Sequence, residues 1–320
     1  MGGKGQDWPL VSRPIFLVGA ERSGTTLLRL MLNHHPQIAF CHEFEYAVEQ
    51  LPESGWPELE PYHQWLEENR IFRSAKVEID PTLSYPELVN SFLTQRRDRD
   101  GKSEIGATLH YGFEKTLRLW PEARFIHIVR DGRDVALSLM GMGWAGNVWA
   151  GAQRWMATEV AWDTLRSQLK PDQFIEVTYE RLIDNPTETL AQICLFLGLV
   201  YDAAMLSYPE HTTYQSPNIQ LVQQWHTKLS PPQIQRVEAA IGKMLGDRDY
   251  KLSGLPLITI PLWQQSLLSL EDWWVRLQFR RRRYGEWLWL TEYLTRRLNL
   301  KIFHRSVQRE MDKITETSLQ

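Results

Sequence analysis

Residues 19–26 combine two glycines, an arginine and three hydroxyl side chains directly after an apolar run. The run, Ile15 to Val18, is typical of a buried strand, and the segment that follows has the apolar spacing of a helix. A glycine-rich turn between a strand and a helix directs successive backbone N–H groups toward one point, where the helix dipole also favours negative charge. The segment therefore predicts a binding site for a phosphate or sulfate group.

One position separates this loop from the loops that bind nucleoside triphosphates. The spacing G-x-x-x-x-G-K-[ST] is kept by Gly19, Gly24 and Thr26, but Thr25 stands where the lysine would neutralise the β- and γ-phosphates. The cation of this loop is Arg22, whose planar guanidinium can donate to two oxygens of a phosphate or sulfate. We therefore expect a dianion bound without a metal ion; the alternative is a turn whose glycines serve backbone geometry alone.

A second group of charged residues, 130–134, follows the apolar run 124–129. Ligands of open parallel sheets bind beyond the carboxyl ends of the strands, so Arg130 is expected to reach the same ligand as the first loop. Ser138 lies about two turns into the next predicted helix and could donate to a second phosphate. The alternative is a solvated turn with weak local ion pairs.

Strand and helix patterns alternate along the chain, which predicts a three-layer α/β domain of the phosphate-loop type, with a central parallel sheet flanked by helices. Residues 52–100 are rich in Pro, Trp and Glu and predict a helical excursion that shapes a cleft. We expect this domain over residues 1–255 and a C-terminal helical extension over 256–320. The other expected strands are 37–41, 124–129 and 174–179, and the expected helices are 25–34, 149–169 and 186–198.

Three motifs occur in order: R-S-G-T-T-L-L from Arg22, V-R-D-G-R-D-V from Val129, and V-T-Y-E-R-L from Val177, which is followed by N-P and F-L-G. Over residues 13–252 the chain resembles the sulfotransferase family that uses 3′-phosphoadenosine 5′-phosphosulfate (PAPS), and it is most similar to the bacterial branch. Its first motif is also similar to that of tyrosylprotein sulfotransferases. The resemblance implies metal-independent transfer of a sulfuryl group from PAPS to an acceptor hydroxyl.

The resemblance also implies a donor site. The backbone and hydroxyls of residues 22–26 would hold the 5′-phosphosulfate, and Arg130 and Ser138 would bind the 3′-phosphate. Tyr179 matches a family tyrosine near the adenine, with a tyrosine packed in the core as the alternative. A late loop would close over the donor, bringing Ser216 and Lys228. The implied donor-site residues are Arg22, Ser23, Gly24, Thr25, Thr26, Arg130, Ser138, Tyr179 and Lys228, with Arg22 and Ser216 also at the transferring group.

Glu43 is the expected proton acceptor. It lies two residues past the predicted strand 37–41, and in the tyrosylprotein branch the catalytic glutamate stands at the matching distance after R-S-G-T-T. A base at a strand end can take the proton of an acceptor hydroxyl during transfer. His42 and Glu45 are rival bases, and a surface acidic cluster is the alternative interpretation.

The chain departs from the family before the strand that precedes Arg130. The family commonly has Lys-Thr-Pro or Lys-Asp-Pro there, and this chain has Gly-Ala-Thr-Leu-His at residues 106–110. Either His110 or Lys115 supplies the missing charge, or Arg22 acts without it. Two other functions stay open: a phosphate-loop kinase or NTPase with Asp131 on Mg²⁺, against which the missing loop lysine argues, and an inactive nucleotide- or membrane-binding member.

Composition excludes few classes of protein. A formal net charge of −3 gives no case for nucleic-acid binding. Cys41 and Cys194 lie far apart in apolar surroundings, which indicates a reducing compartment, and we expect a cytoplasmic protein. The N-terminus has no apolar leader, Gln6 breaks the myristoylation pattern, and no run of 18 apolar residues predicts a membrane span.

The C-terminal extension has five of the 14 tryptophans, at 263, 273, 274, 287 and 289, and an arginine run at 280–283. One helical face is predicted over 287–302, flanked by basic residues. Aromatic and basic residues together favour an anionic membrane surface, and packing on the catalytic domain or on a second subunit is the alternative. The face comprises Trp287, Leu290, Leu294, Leu298 and Ile302, and the basic residues are Arg296, Arg297, Lys301 and Arg305.

Overall fold

The computed structural model describes residues 10–298 and 301–319, and in its last helix the side chains of residue 303 and residues 306–315. Within these residues the chain forms five β-strands and thirteen α-helices. The strands are β1 (Ile15–Val18), β2 (Ile38–Glu43), β3 (Glu104–Leu109), β4 (Arg124–Val129) and β5 (Phe174–Thr178). The helices are α1 (Thr25–Asn33), α2 (Leu59–Glu68), α3 (Arg70–Ala75), α4 (Tyr85–Asp100), α5 (Gly132–Gly141), α6 (Val148–Arg166), α7 (Tyr179–Asp184), α8 (Pro186–Leu197), α9 (Trp225–Lys228), α10 (Pro231–Asp247), α11 (Leu262–Tyr284), α12 (Glu286–Arg297) and α13 (Lys301–Leu319).

The five strands form one parallel sheet in the order β2-β3-β1-β4-β5. The central strand β1 is fully buried, as a strand covered on both faces must be. Alternate residues of β1 face opposite sides: Phe16 and Val18 join a core with α4 and the later part of α6, while Ile15 and Leu17 join a core with α1 and α8. The predicted α/β class, with its parallel sheet between helical layers, is confirmed.

The chain divides into two compact units. The first comprises the described part of residues 1–130 together with residues 157–222, and it contains the whole sheet with α1–α4, α7 and α8. The second comprises residues 131–156 and the described part of 223–320, with α5 and α9–α13. Helix α6 belongs to both units.

A buried ionic network organises the second unit. The Arg133 guanidinium donates to both carboxylate oxygens of Asp131, at 2.9 and 2.7 Å, and to Glu238 on α10 at 2.8 Å. The same guanidinium lies over the ring of Trp225, 3.7 Å from its centroid, and the Trp225 indole N–H donates to Asp131 at 3.0 Å. At Gly132 a β-carbon would overlap Ile241 of α10, which explains the glycine inside this charged motif.

Several predicted boundaries need correction. Glu43 is the last residue of β2, because β2 keeps pairing with β3 through Thr108 after an irregularity, so the base candidate lies on the strand itself. Tyr179 begins α7 and does not end β5. The single helical face predicted over 287–302 is wrong, because α12 ends at Arg297 and α13 begins at Lys301.

Some sequence predictions fall on parts of the chain that are not described. These are the N-terminal residues, including Gln6, and the side chains of Lys301, Ile302 and Arg305. Across residues 10–298 and 301–319, no helix combines the length and the apolar character that crossing a bilayer requires.

Candidate active site

The carboxyl ends of all five parallel strands point to one edge of the sheet, and most of the predicted site residues of the first unit lie at these ends. The loop 19–24 follows β1, Glu43 ends β2, and His110, Arg130 and Tyr179 come directly after β3, β4 and β5. The ends of β1 and β4 were predicted from the sequence, whereas β2 ends two residues later and β5 one residue earlier than predicted. Parallel pairing then makes one cleft edge from segments far apart in the chain.

The loop after β1 has the form of an anion site. Gly24 is the N-cap of α1 with φ 94°, and no side chain caps the helix, so the N–H groups of its first turn have no intrahelical acceptor. The Ser23 side chain is fully buried, and its hydroxyl has no hydrogen-bond partner among the described residues. Thr25 is also buried and Thr26 is half-buried. An orphan hydroxyl beside an open helix N-terminus fits a phosphate or sulfate oxygen.

Tyr179 explains why the second glycine of the loop is required. A β-carbon at position 24 would overlap the Tyr179 ring, and the positive φ of Gly24 is one that other residues rarely adopt. The ring is 5% exposed, and it also lies under the Arg130 guanidinium, 4.5 Å from the ring centroid. Tyr179 thus packs against the loop and Arg130 together, which sequence reasoning did not predict.

Arg130 is brought to the phosphate loop, as its place after β4 predicted. Its Nη1 donates to the carbonyl of Arg22 at 3.1 Å, and its Nη2 donates to the carbonyl of Leu221 at 2.6 Å. The side chain is 9% exposed. A guanidinium held by two carbonyls is oriented in advance, which lowers the entropic cost of binding an anion.

Glu43 is exposed at the end of β2 and borders a cavity of about 230 Å³. The cavity also contacts three cationic side chains, Lys76, Arg96 and Arg99. Burial, together with the nearby guanidinium groups of Arg29 and Arg96, lowers the pKa of His42 to about 4. Such an imidazole is neutral and a weak proton acceptor at neutral pH. The full lining is Cys41, His42, Glu43, Tyr46, Ser74, Ala75, Lys76, Val77, Arg96 and Arg99.

The two candidates for the missing family lysine lie in different places. The Nδ1 atom of His110 is 3.0 Å from the carbonyl oxygen of Gly19, the first residue of the phosphate loop. Lys115 lies on a 3-10 helix, Phe113–Arg118, and donates to the carbonyl of Leu51 at 3.1 Å. Among the hydrogen bonds of the described residues, His110 contacts the phosphate loop and Lys115 does not.

The remaining predicted residues divide between the units. Ser216 lies exposed in a loop of the first unit, after the 3-10 helix Tyr208–Glu210. Ser138 lies in the second turn of α5, in the second unit. Lys228 ends α9 of the same unit and donates to the Gln224 side chain at 2.9 Å.

The second motif contains an arginine whose partners sequence reasoning missed. Arg133 engages both carboxylate oxygens of Asp131, and Trp225 adds a further N–H. Asp131 is 2% exposed within this network. Its carboxylate therefore stabilises the packing of the second unit. This role argues against Asp131 as the Mg²⁺ ligand that a kinase would need. A pair of charges two residues apart was the available signal, but Glu238 lies 105 residues beyond Arg133.

Comparison with known proteins agrees with this geometry. A putative protein-tyrosine sulfotransferase of Caenorhabditis briggsae is 29% identical over 212 residues, which cover 61% of this chain and 69% of that protein. The protein-tyrosine sulfotransferase of Drosophila melanogaster is 25% identical over 254 residues, covering 73% of this chain and 48% of that protein. This chain therefore spans about half the length of the fly protein.

Solved structures share the fold. The sulfotransferase domain of the curacin biosynthetic pathway covers 76% of this chain with a TM-score of 0.51 at 18% identity, and the match includes 100% of that domain. The sulfotransferase domain of the Synechococcus PCC 7002 olefin synthase covers 73% of this chain, with 98% of that domain matched, a TM-score of 0.50 and 19% identity. The family model described as "Sulfotransferase family" matches residues 14–203. Since this model matches more than half of the chain, the chain belongs to the sulfotransferase family, as its motifs predicted.

Proposed function

We propose that the carboxyl edge of the sheet holds PAPS on the loop after β1 and presents its sulfur to a hydroxyl group beside Glu43. In the reaction, a bond forms between the acceptor oxygen and sulfur while the bond from sulfur to the 5′-phosphate oxygen breaks. Glu43 takes the hydroxyl proton, and 3′-phosphoadenosine 5′-phosphate (PAP) leaves. The observation that carries this proposal is the open helix N-terminus at Gly24 with the orphan Ser23 hydroxyl.

Two interactions support the donor assignment. The N–H groups of the first turn of α1 and the hydroxyls of residues 23, 25 and 26 stabilise the charge that develops on the leaving phosphate. Arg130, oriented by the carbonyls of Arg22 and Leu221, binds the 3′-phosphate. Tyr179 lies near the adenine of the donor, and Arg22 contacts the sulfuryl group that is transferred. No metal ion takes part in this proposal, because loop N–H groups and guanidinium groups supply the positive charge.

The remaining residues have proposed roles with the same donor. Within the first unit, Ser216 binds the donor from a late loop, while Ser138 and Lys228 of the second unit stay predictions from the resemblance. The acceptor enters through the cavity beside Glu43. Carbohydrate, lipid, peptide tyrosine and small phenols all carry the hydroxyl that the reaction needs.

Calorimetry tests the donor proposal directly. We expect the full chain to bind PAP and PAPS in the presence of EDTA, with ATP and Mg²⁺ bound far more weakly. Preference for ATP with Mg²⁺ would contradict the proposal and would favour a kinase or NTPase.

Glu43→Gln tests the base. The amide keeps the shape of the side chain but cannot accept the proton, so turnover should fall by roughly 10²- to 10⁴-fold while PAP binding is unchanged. His42→Ala is the matched control and should lose little. A panel of hydroxyl compounds with labelled PAPS first identifies a working acceptor. Near-normal turnover by Glu43→Gln on that acceptor would assign the proton to another group.

We also propose that residues 256–320 form a C-terminal domain that docks on an anionic membrane surface. Helix α12 buries Glu292 and Thr295, at 5% and 6% exposure, and exposes the apolar Trp287, Leu290 and Leu294. Trp287 is 83% exposed, and Trp263 on α11 is 66% exposed. Exposed aromatic side chains beside the arginine run 280–283 match the chemistry of an acidic lipid surface. The location we propose is cytoplasmic and peripheral, which agrees with two cysteines that are buried and free.

Vesicle flotation tests the membrane proposal with the full chain. The intact protein should float with vesicles rich in phosphatidylserine, less so at high salt, because part of the attraction is Coulombic. The double variant Trp287→Ser, Leu294→Ser should stay at the bottom, while Leu195→Ser, which alters an exposed leucine of α8 in the first unit, should float. Equal flotation of all three proteins would contradict the proposal. Concentration-dependent dimerisation lost in the double variant would assign the face to a second copy of the chain.

A further inference from the structure

Glu45 is a buried carboxyl side chain at the edge of the proposed site. It begins the 3-10 turn Glu45–Ala47, two residues after Glu43, and it is 2% exposed. The N–H groups of Val48 and Glu49 donate to its backbone carbonyl at 2.9 and 2.8 Å, so its position is fixed by the turn. Buried charged groups normally have partners for all their polar atoms.

The Glu45 carboxylate meets only half of that requirement. One oxygen, Oε1, accepts the backbone N–H of His110 at 2.8 Å. The other, Oε2, is buried and has no hydrogen-bond partner among the described residues. A half-paired buried carboxyl is costly to keep, which indicates a use other than stability.

His110 connects Glu45 to the donor loop. While its backbone binds Glu45, its imidazole Nδ1 lies 3.0 Å from the carbonyl oxygen of Gly19. Glu45, His110 and Gly19 belong to three separate segments, after β2, β3 and β1. The contacts thus link the strand end that contains Glu43 to the first residue of the phosphate loop.

We propose that Glu45 is a positioning residue for sulfuryl transfer, which holds His110 against Gly19 so that the imidazole lies beside the sulfuryl group of the donor. This inference rests on the proposed function. In this proposal His110 takes the role of the family lysine that the chain lacks. The buried Glu45 carboxyl acts by holding the segment that contains His110.

The charges around Glu45 predict how this role depends on pH. Burial, helped by the nearby Glu43 carboxylate and opposed by His110, raises the pKa of Glu45 to about 7. The other titratable groups that interact with it are Tyr46 on its own turn and Tyr111 after β3. An ionised carboxylate is a stronger acceptor for the His110 N–H than a neutral acid. Turnover should therefore fall as pH decreases through about 7.

Three variants of the full chain test the proposal. Glu45→Ala removes the acceptor and should lower kcat by roughly 10- to 100-fold with little change in acceptor KM, since small misplacements at a reacting centre cost about this much. Glu45→Gln keeps an oxygen for the His110 N–H but cannot ionise. Its kcat should match that of the intact enzyme below pH 7, above the kcat of Glu45→Ala, and the change in rate near pH 7 should be lost. In the double variant Glu45→Ala, His110→Ala, the loss should not exceed that of His110→Ala alone, because both act through one imidazole.

Each outcome separates this inference from the donor proposal. If the intact enzyme fails to bind PAP, the proposed function is wrong. If it binds PAP and transfers sulfate but Glu45→Ala matches it, the positioning role is wrong. Equal losses in Glu45→Ala and Glu45→Gln with an unchanged pH profile, or additive losses in the double variant, would also overturn it. Should Glu45→Ala fail to fold, Glu45→Gln and the pH profile decide alone.

Discussion

Arg130→Ala gives a direct measure of 3′-phosphate recognition. The guanidinium makes two kinds of contact in the proposed site. The first kind is with the protein, because it donates to the carbonyls of Arg22 and Leu221 and packs over Tyr179. The second kind is the proposed contact with the 3′-phosphate of the donor. Removal of the first kind loosens the loop for every ligand. Removal of the second affects only ligands that carry a 3′-phosphate, so a comparison of two ligands isolates it.

The expected magnitude follows from the type of contact. A hydrogen bond to a charged group contributes about 1.5–3 kcal/mol, which corresponds to roughly 10- to 150-fold in Kd. Because the Arg130 side chain is only 9% exposed, solvent screening reduces this value little. We expect Arg130→Ala to weaken PAP by that factor beyond its effect on adenosine 5′-phosphosulfate, which has no 3′-phosphate.

Isothermal titration with both ligands measures the two affinities in each variant. Arg130→Lys keeps the charge but loses the planar fork, so it should fall between the intact protein and the alanine variant for PAP. Tyr179→Phe keeps the ring under the guanidinium and is the control for packing. If Arg130→Ala weakens both ligands by the same factor, the residue only supports the loop, and the 3′-phosphate binds elsewhere.

Further predictions concern the loop, the ionic network and the effect of pH. Gly24→Ala should abolish PAP binding in calorimetry, since its β-carbon overlaps an aromatic ring, whereas Gly55→Ala, also at positive φ (72°) but in open space, should bind PAP normally. Arg133→Met leaves two buried carboxylates without their partner and should lower the free energy of unfolding by about 3–5 kcal/mol in urea titrations; a loss below about 1 kcal/mol would contradict the network's role. Burial would lower the pKa of His127, but two carboxylates outweigh it and raise the pKa, so its contribution is complete below about pH 6.5 and is lost as pH rises through the folded value. Burial opposes, but His127 and other donors lower the pKa of Glu176 to about 2, so its contribution is present above its ordinary value and is lost as pH falls toward 2. Urea midpoints measured from acid to alkaline pH test both contributions to stability. Their dependence on pH should flatten in His127→Gln.

Much of the sheet edge that we propose to hold the donor could be predicted from sequence because its signals are local. The glycine spacing of the first loop and the apolar run before Arg130 occupy short windows, and a strand followed by a turn and a helix leaves few ways to arrange them. The strand 124–129 was predicted with its observed bounds, and the helix after Pro186 ends one residue before the predicted Gly198.

The base candidates show where local patterns stop. His42, Glu43 and Glu45 lie within four residues, and sequence alone gave no reason to separate an exposed carboxylate from a buried one. Glu45 accepts the backbone N–H of His110, 65 residues away, so its surroundings depend on a distant segment. Periodicity reports which side chains share a face, but not which face another segment covers.

The C-terminal extension also shows that the sequence does not determine which side of a helix is buried. Its amino acids alone predicted an amphipathic helical face with a basic flank over residues 287–302, of which the structure forms α12 only to Arg297. Only the tertiary structure decided that Glu292 and Thr295 are buried and that Trp287, Leu290 and Leu294 are exposed. The hydrophobic effect alone would turn apolar side chains inward. The observed orientation therefore depends on which other segments of the chain pack against this helix, and it leaves apolar side chains exposed to a binding surface.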